Sequence, residues 1–548
     1  MPWSSPNGRP GRWRTLGVVT TAGLVLGGCA PLVEPQTVVN EERSGVDLPV
    51  RKGGEISVAL DADPDALDPT LSSTLVGRQV YTSVCEKLYD VGENLEIVPQ
   101  LAADLPEISD DGLDVTIPLR RDLLFNDGTA LDAHAVKRSL DRHREMPASR
   151  RATELESVRS VEVVDADTVR LRLHRPYAPL TSMLADRAGM ILSPTALDEL
   201  GEDFGQAPVC VGPFHFVERV AQDRIVVERS EHYYDADLVN LDRIVYRPIP
   251  DPTIRLANLR SGQLDAMWKV SPDDLPAVSN EDGLTLLIQP SIQYMGMSVN
   301  VMNTDGNTAE PGQVEGPLAE DPRVRQALAL SLDRDTINEV VFSGLHQPAC
   351  GPIPPSSEFA TEETQACPEH DPDRARELLA EAGVQTPVPV ELMISNEPLT
   401  LRLGQVIQAM AAEAGFQVRL RPTEFAASIA EAQSGNFQTY ISGWSGRPDP
   451  DGNIGSFHVR SGANNYSGHF TPETDELIRE AAEETDPERR RDLYSELVPR
   501  LRDFNNIIYL YRERLYAAHS TDLAGVRVYP DGLMRFREAG FVAEGGEG

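Results

Sequence analysis

Apolar and polar residues alternate with a period of two along Glu55-Ile56-Ser57-Val58-Ala59-Leu60, Asp114-Val115-Thr116-Ile117-Pro118-Leu119 and Thr168-Val169-Arg170-Leu171-Arg172-Leu173, which predicts strands. A helical period takes over from Asp132 to Arg144, with Asp132 placed as N-cap. Two Asp-Pro pairs open further helices, Asp being the cap and Pro the first helical residue. One runs from Asp321-Pro322-Arg323 through Val324, Ala327, Leu328 and Leu332; the other runs from Asp371-Pro372 through Ala375, Leu378 and Leu379 to Gly383. Leu399 to Ala414 is amphipathic and stops at Gly415 before a strand from Phe416 to Leu420, and Thr471-Pro472-Glu473 caps one more helix. Asn126-Asp127-Gly128 reads as a turn, Gly212-Pro213-Phe214 as a bend before a strand, Ser261-Gly262 as a helix end and Asp333-Arg334 as a surface ion pair. Strands and helices interleave throughout, so an α/β protein of more than one lobe is expected.

The first residues follow a different pattern. Arg9, Arg12 and Arg14 precede an apolar run from Leu16 to Leu26, and Gly27-Gly28 stands before Cys29. A charged segment, an apolar core and small residues make a secretory signal over residues 1–28. The run falls short of the about 20 residues that span a bilayer. Leu26-Gly27-Gly28-Cys29 resembles a bacterial lipobox, which implies cleavage before Cys29 and a diacylglycerol on its sulfur. Pro31 to Lys52 is polar and aperiodic and reads as a tether, with order beginning at Gly53-Gly54.

Charge narrows the partners. The 548 residues carry a formal net charge of −36, without a basic stripe or arm, which speaks against nucleic acid as a partner. After Cys29 there remain Cys85, Cys210, Cys350 and Cys367. An even number in an exported chain suggests two disulfides, and three pairings are open. Closing the Pro- and Glu-rich loop Gly351–Ala366 favours Cys350 with Cys367, which leaves Cys85 with Cys210; four buried free thiols are the alternative. The cysteines and histidines have no metal-ligand spacing, and no cofactor or metal is expected.

Several segments in order resemble the peptide/nickel/opine type of extracellular solute-binding protein, family 5, the receptors of ABC importers. They are Leu101-Ala102-Ala103-Asp104, Leu119-Arg120-Arg121-Asp122, Phe125-Asn126-Asp127-Gly128-Thr129, Val136-Lys137-Arg138-Ser139-Leu140, Tyr233-Tyr234 and Ala257-Asn258-Leu259-Arg260-Ser261-Gly262-Gln263-Leu264-Asp265. Val324-Arg325-Gln326-Ala327-Leu328 and Trp444 to Asn453 continue the series, while Ala135 stands where the family usually has an acidic residue. The resemblance implies a two-lobed, periplasmic-binding-protein-like (type II) α/β fold with a subdomain inserted in lobe one. Lobe one is expected over 53–75, 190–292 and 515–548, the insert over 76–189 and lobe two over 293–514. It further implies a monomer, tied to the membrane through its lipid only, that holds a peptide or small molecule between its lobes for an ABC permease.

The richest candidate site is Gly443-Trp444-Ser445-Gly446-Arg447-Pro448-Asp449-Pro450-Asp451-Gly452-Asn453, a loop after the apolar strand Thr439–Ser442. Peptide binders of the family often have Asp three residues after this Trp, where it pairs with the peptide ammonium; this chain has Arg447. A guanidinium there inverts the charge and presents a planar fork to a carboxylate or phosphate. The alternatives are that Asp449 or Asp451 replaces the missing carboxylate, or that Arg447 pairs with one of them inside the loop. Trp444 and Gly446, Tyr294 at the presumed crossing between lobes, and Asn465 and Tyr466 complete the expected ligand-binding set. Leu71-Ser72-Ser73-Thr74 is a further candidate for the cleft wall.

Two other function classes compete. A surface hydrolase would use Ser445 in an elbow-like Gly443-Trp444-Ser445-Gly446-Arg447, but Arg447 stands where the closing Gly belongs and no His or Asp partner is assignable. A surface binding protein for signalling or adhesion is not separable from an import receptor by sequence. With no Gly-rich phosphate loop, the chain is not the transporter's own ATPase.

Overall fold

The computed structural model describes residues 48–543 apart from 308, 309 and 461, so the signal segment, Cys29 and most of the tether lie outside the described residues. Glu55–Leu60 is the middle strand of a seven-stranded sheet, parallel to Arg243–Pro248 on one side and Ala266–Met267 on the other. Its alternation places Ile56, Val58 and Leu60 in one core while Ala59 joins the core on the opposite face. Arg224–Arg229 and Phe214–Val220 extend this sheet at one edge, and Arg514–Ser520 and Leu284–Pro290 complete it at the other.

A second, six-stranded sheet is ordered Gln347–Pro348, Ile507–Arg512, Tyr294–Val299, Thr439–Trp444, Val388–Ser395, Phe416–Thr423. Helices Pro322–Leu330, Arg334–Phe342, Pro372–Glu381 and Pro398–Glu413 bury Leu328, Ile337, Leu379 and Ile407 in its core. The chain passes between the two sheets at two places. Leu284–Pro290 leads into Tyr294–Val299, and Ile507–Arg512 leads into Arg514–Ser520. Two short crossings of this kind suit a hinge, because a few residues absorb the rotation. Between residues 107 and 173 a four-stranded antiparallel sheet and the helix Ala133–Glu145 build a separate core around Phe125, Leu140 and Leu171.

The caps act as their sequences predict. Asp132 accepts from the Ala135 amide at 2.9 Å, Asp321 from Arg323 at 2.8 Å and Asp371 from Arg374 at 2.8 Å. Other expectations need correction. The helix from Pro322 ends at Leu330, not Leu332, because Asp333 caps a new helix by accepting from Thr336. Asp333 and Arg334 are not a surface pair: Arg334 is buried and donates to the Tyr509 carbonyl at 2.8 Å. The helix Leu75–Val84, expected at the head of the insert, packs Val76, Val80 and Tyr81 onto the seven-stranded sheet instead. Order also begins before Gly53, since Val50–Arg51 pairs with Phe541 and Val542 and Arg51 covers the Phe541 ring. Cys85 is bonded to Cys210 and Cys350 to Cys367.

Candidate functional site

The strand Thr439–Trp444 delivers the loop after it to the seam between the lobes. Asn453 holds the loop shut: its Oδ1 accepts from the Arg447 amide at 2.7 Å and from the Trp444 indole at 3.0 Å, and its Nδ2 donates to the Arg447 carbonyl at 2.9 Å. Gly446 has φ +76°, and a Cβ there would stand 2.5 Å from the Ile292 carbonyl oxygen, so no other residue fits the turn. The Trp444 ring meets Phe457 edge-on at 5.0 Å.

Arg447 reaches out of its own lobe. Its guanidinium lies over the Trp444 ring at 4.6 Å, with Nη2 2.9 Å from Asp186 and 3.7 Å from Glu154. Asp186 and Glu154 belong to the stretch between the two halves of lobe one. The alternative pairing of Arg447 with Asp449 or Asp451 inside the loop is not seen, because both neighbouring carboxylates are engaged elsewhere. Asp449 receives two parallel bonds from Arg490, at 2.8 and 2.9 Å, and Asp451 accepts from the Tyr177 hydroxyl at 2.6 Å. The Asp449 amide approaches Ser182 Oγ at 3.3 Å, and the Ala178 amide donates to the Ala482 carbonyl at 2.9 Å. Residues 177–186 and the 444–451 loop thus form one polar seam.

The seam is charged and buried. Burial opposes the Asp186 carboxylate, but Arg78, Arg447, Arg187 and Arg151 around it hold its pKa well below the carboxylate range. Burial lowers Arg187 to about 10, with Arg151 repelling it. Asp451 is pushed up to about 6, first by burial and further by the charge of Asp449, while the Tyr177 hydroxyl and Arg490 pull it back.

The remaining predicted residues have partners within the protein. Tyr294 is buried edge-on between Tyr509 at 5.1 Å and Phe457 at 6.0 Å. Asn465 Nδ2 donates to the Val459 and His469 carbonyls, both at 3.0 Å. The Tyr466 carbonyl accepts from Asn303 at 3.0 Å, and its ring leans on Tyr440. Ser72 and Thr74 offer their carbonyls to Arg187, and Ser72 also to Arg151. Ser445 Oγ has Arg447 Nη1 at 3.4 Å, and among the described residues no histidine bonds to it. Sequence reasoning missed Tyr177, Ser182, Asp186 and Arg490. A signal for Asp186 was present: Asp186-Arg187 is the one charged pair inside the apolar run Met183 to Leu192.

Two α/β lobes joined by adjacent crossings, with a loop of one seated on the other, define the two-lobed solute-binding class. The chain belongs to the bacterial extracellular solute-binding proteins, family 5: the profile described as "Bacterial extracellular solute-binding proteins, family 5 Middle" matches residues 96–465. It is similar to the glutathione-binding protein GsiB of Pectobacterium atrosepticum, 29% identical over 507 residues, covering 90% of this chain and 95% of the relative. Among solved structures it is similar to the ABC transporter-associated periplasmic binding protein DppA of Helicobacter pylori in complex with the peptide STSA. There the TM-score is 0.78 at 21% identity, over 90% of this chain and 99% of the other. The dipeptide binding protein of Pseudoalteromonas sp. SM9913 in complex with Met-Leu gives a TM-score of 0.79 at 20% identity, over 89% and 100%.

Proposed function

We propose that the chain is the lipid-anchored receptor of an ABC importer, a monomer that captures an oligopeptide or related small organic solute between its lobes and delivers it to a permease. The observation that carries this reading is the seam. Arg447 and Asp451 leave their lobe to meet Asp186 and Tyr177, and these contacts exist only while the lobes touch. Polar contacts across a hinged seam break at small net cost, because water replaces them when the lobes part. A solute between the lobes then selects the state in which both walls reach it. The peptide- and glutathione-binding relatives support a peptide-like cargo. The lipobox Leu26-Gly27-Gly28-Cys29 supports an anchor outside the cytoplasm.

Gene deletion with an uptake assay for labelled glutathione, dipeptides and longer peptides tests import. Loss of uptake for one of these, restored by the wild-type gene, is expected. Binding by the purified protein with unchanged uptake in the deletion would point to signalling or adhesion instead. A Cys29→Ser variant should lose incorporation of labelled fatty acid and leave the membrane fraction; unchanged fractionation would remove the anchor.

A further inference from the structure

A cavity of about 280 Å3 opens where the end of the helix Leu75–Val84, the residues after it and the stretch 525–538 converge. Among the described residues, none of the six-stranded lobe lines it. Arg78, Lys87, Arg120, Arg535, Asp90 and Asp186 are on its wall. Most of these belong to one chain of ion pairs. Lys87 and Arg535 meet Asp90, while Arg535 and Arg78 meet Asp531. Asp186 joins Arg78 to Arg187 and Arg447, and Glu154 joins Arg447 to Arg151. Six cations (Arg78, Lys87, Arg151, Arg187, Arg447, Arg535) are thus connected through four carboxylates (Asp90, Glu154, Asp186, Asp531), none of the ten side chains more than 19% exposed. Two positive charges are left over, against the trend of a molecule with formal net charge −36.

Uncompensated charge in a desolvated network is costly. Arg78, a wall residue, has its Nη1 buried without a hydrogen-bond partner among the described residues, and the same holds for Arg151 Nε and Arg187 Nε farther along the network. Arg120 lies over the Tyr234 ring at 5.4 Å and, among the described residues, has no carboxylate in ion-pair range. The other wall carboxylates do little to offset the surplus. Glu86 accepts from the Tyr233 and Tyr234 hydroxyls, Glu538 pairs with Arg537, and Asp235 balances no more than Arg120.

We propose that this cavity binds a compact organic dianion, a dicarboxylate of about the size of succinate, with Arg78 and Arg120 as its cationic contacts. The volume exceeds what a single phosphate fills, and a guanidinium matches a carboxylate edge in bidentate fashion. Because only lobe one and its insert wall the cavity, the diacid is a ligand separate from the solute between the lobes, and its binding can be measured without that solute. The site is nonetheless linked to the seam. Arg447 brings one of the six cations from the other lobe, so the dianion binds more tightly when the lobes meet and, reciprocally, favours their meeting.

Calorimetric and thermal-shift titration of the purified full chain with succinate tests the site, against sodium chloride at equal ionic strength and against the neutral diamide succinamide. Saturable binding of succinate and a rise in Tm that neither control produces are expected. Arg78→Gln should weaken succinate by about thirtyfold or more, as loss of a buried charge contact does. Arg120 has an exposed side chain, so Arg120→Gln keeps the test valid should Arg78→Gln misfold; it should weaken succinate several-fold with an unchanged circular dichroism spectrum. Absence of saturable succinate binding, equal binding of succinamide, or an affinity unaltered in Arg120→Gln would each overturn the proposal. None of these results bears on whether a peptide is captured between the lobes.

Discussion

Two buried arginine–aspartate pairs begin in the same loop and differ in almost everything else. Asp449 and Arg490 both belong to the six-stranded lobe, bond in parallel at 2.8 and 2.9 Å, and are surrounded by satisfied groups: Arg490 also donates to the Ala481 carbonyl and the Tyr494 hydroxyl. Arg447 and Asp186 come from different lobes, meet through one nitrogen at 2.9 Å, and share their partners with a surplus of cations. The first pair fixes the loop to its own lobe in any arrangement of the two lobes. The second exists only while the lobes touch. Burial and charge do not by themselves distinguish a lock from a latch; which bodies the partners belong to does.

The largest effect should fall on the fixed pair. Asp449→Ala leaves Arg490 buried and unpaired, so urea unfolding should show a loss of about 3–5 kcal/mol. Cys350→Ser opens the loop to Cys367 and should cost about 3 kcal/mol in the same assay while peptide affinity stays nearly intact. Arg447→Ala should lower global stability by only about 1 kcal/mol, because Asp186 keeps Arg78, yet it should shift the lobes towards separation. A loss as large as that of Asp449→Ala would make the two pairs equivalent and end the comparison.

A further effect is one of pH. Folding raises the Asp451 pKa from 3.8 to about 6, so the folded protein holds the proton more tightly than the unfolded chain. Its contribution to stability is complete below the unfolded value and is lost as pH rises through about 6. The buried histidines 143, 458 and 469, lowered to about 4, 3 and 4, act in the opposite sense and lose stability as pH falls below 6.5. Asp451→Asn isolates the first term: wild type should lose stability relative to this variant between pH 4 and pH 7, and a flat difference would refute the assignment.

Much of the scaffold was legible because it is written in local rules. Caps at Asp132, Asp321 and Asp371 and the period-two strands depend on neighbours within a few residues. The helix Leu75–Val84 is placed by the tertiary contacts of Val80 and Tyr81, which its own sequence does not specify. The loop Trp444–Asp451 was legible as the place where chemistry concentrates, but not its partners. Asp186 is more than 250 residues before Arg447, and nothing local connects them. Arg447 and Asp449 look alike on paper as charged residues of one loop; their opposite assignments follow from topology, which no window of sequence contains.

Small-angle X-ray scattering of the purified wild type and Arg447→Ala, with circular dichroism as the control for folding, tests the central claim most directly. If the Arg447–Asp186 contact holds the lobes together, the variant keeps its secondary structure and its radius of gyration increases. Identical scattering curves from the two proteins would show that the seam does not depend on this contact and would contradict the account.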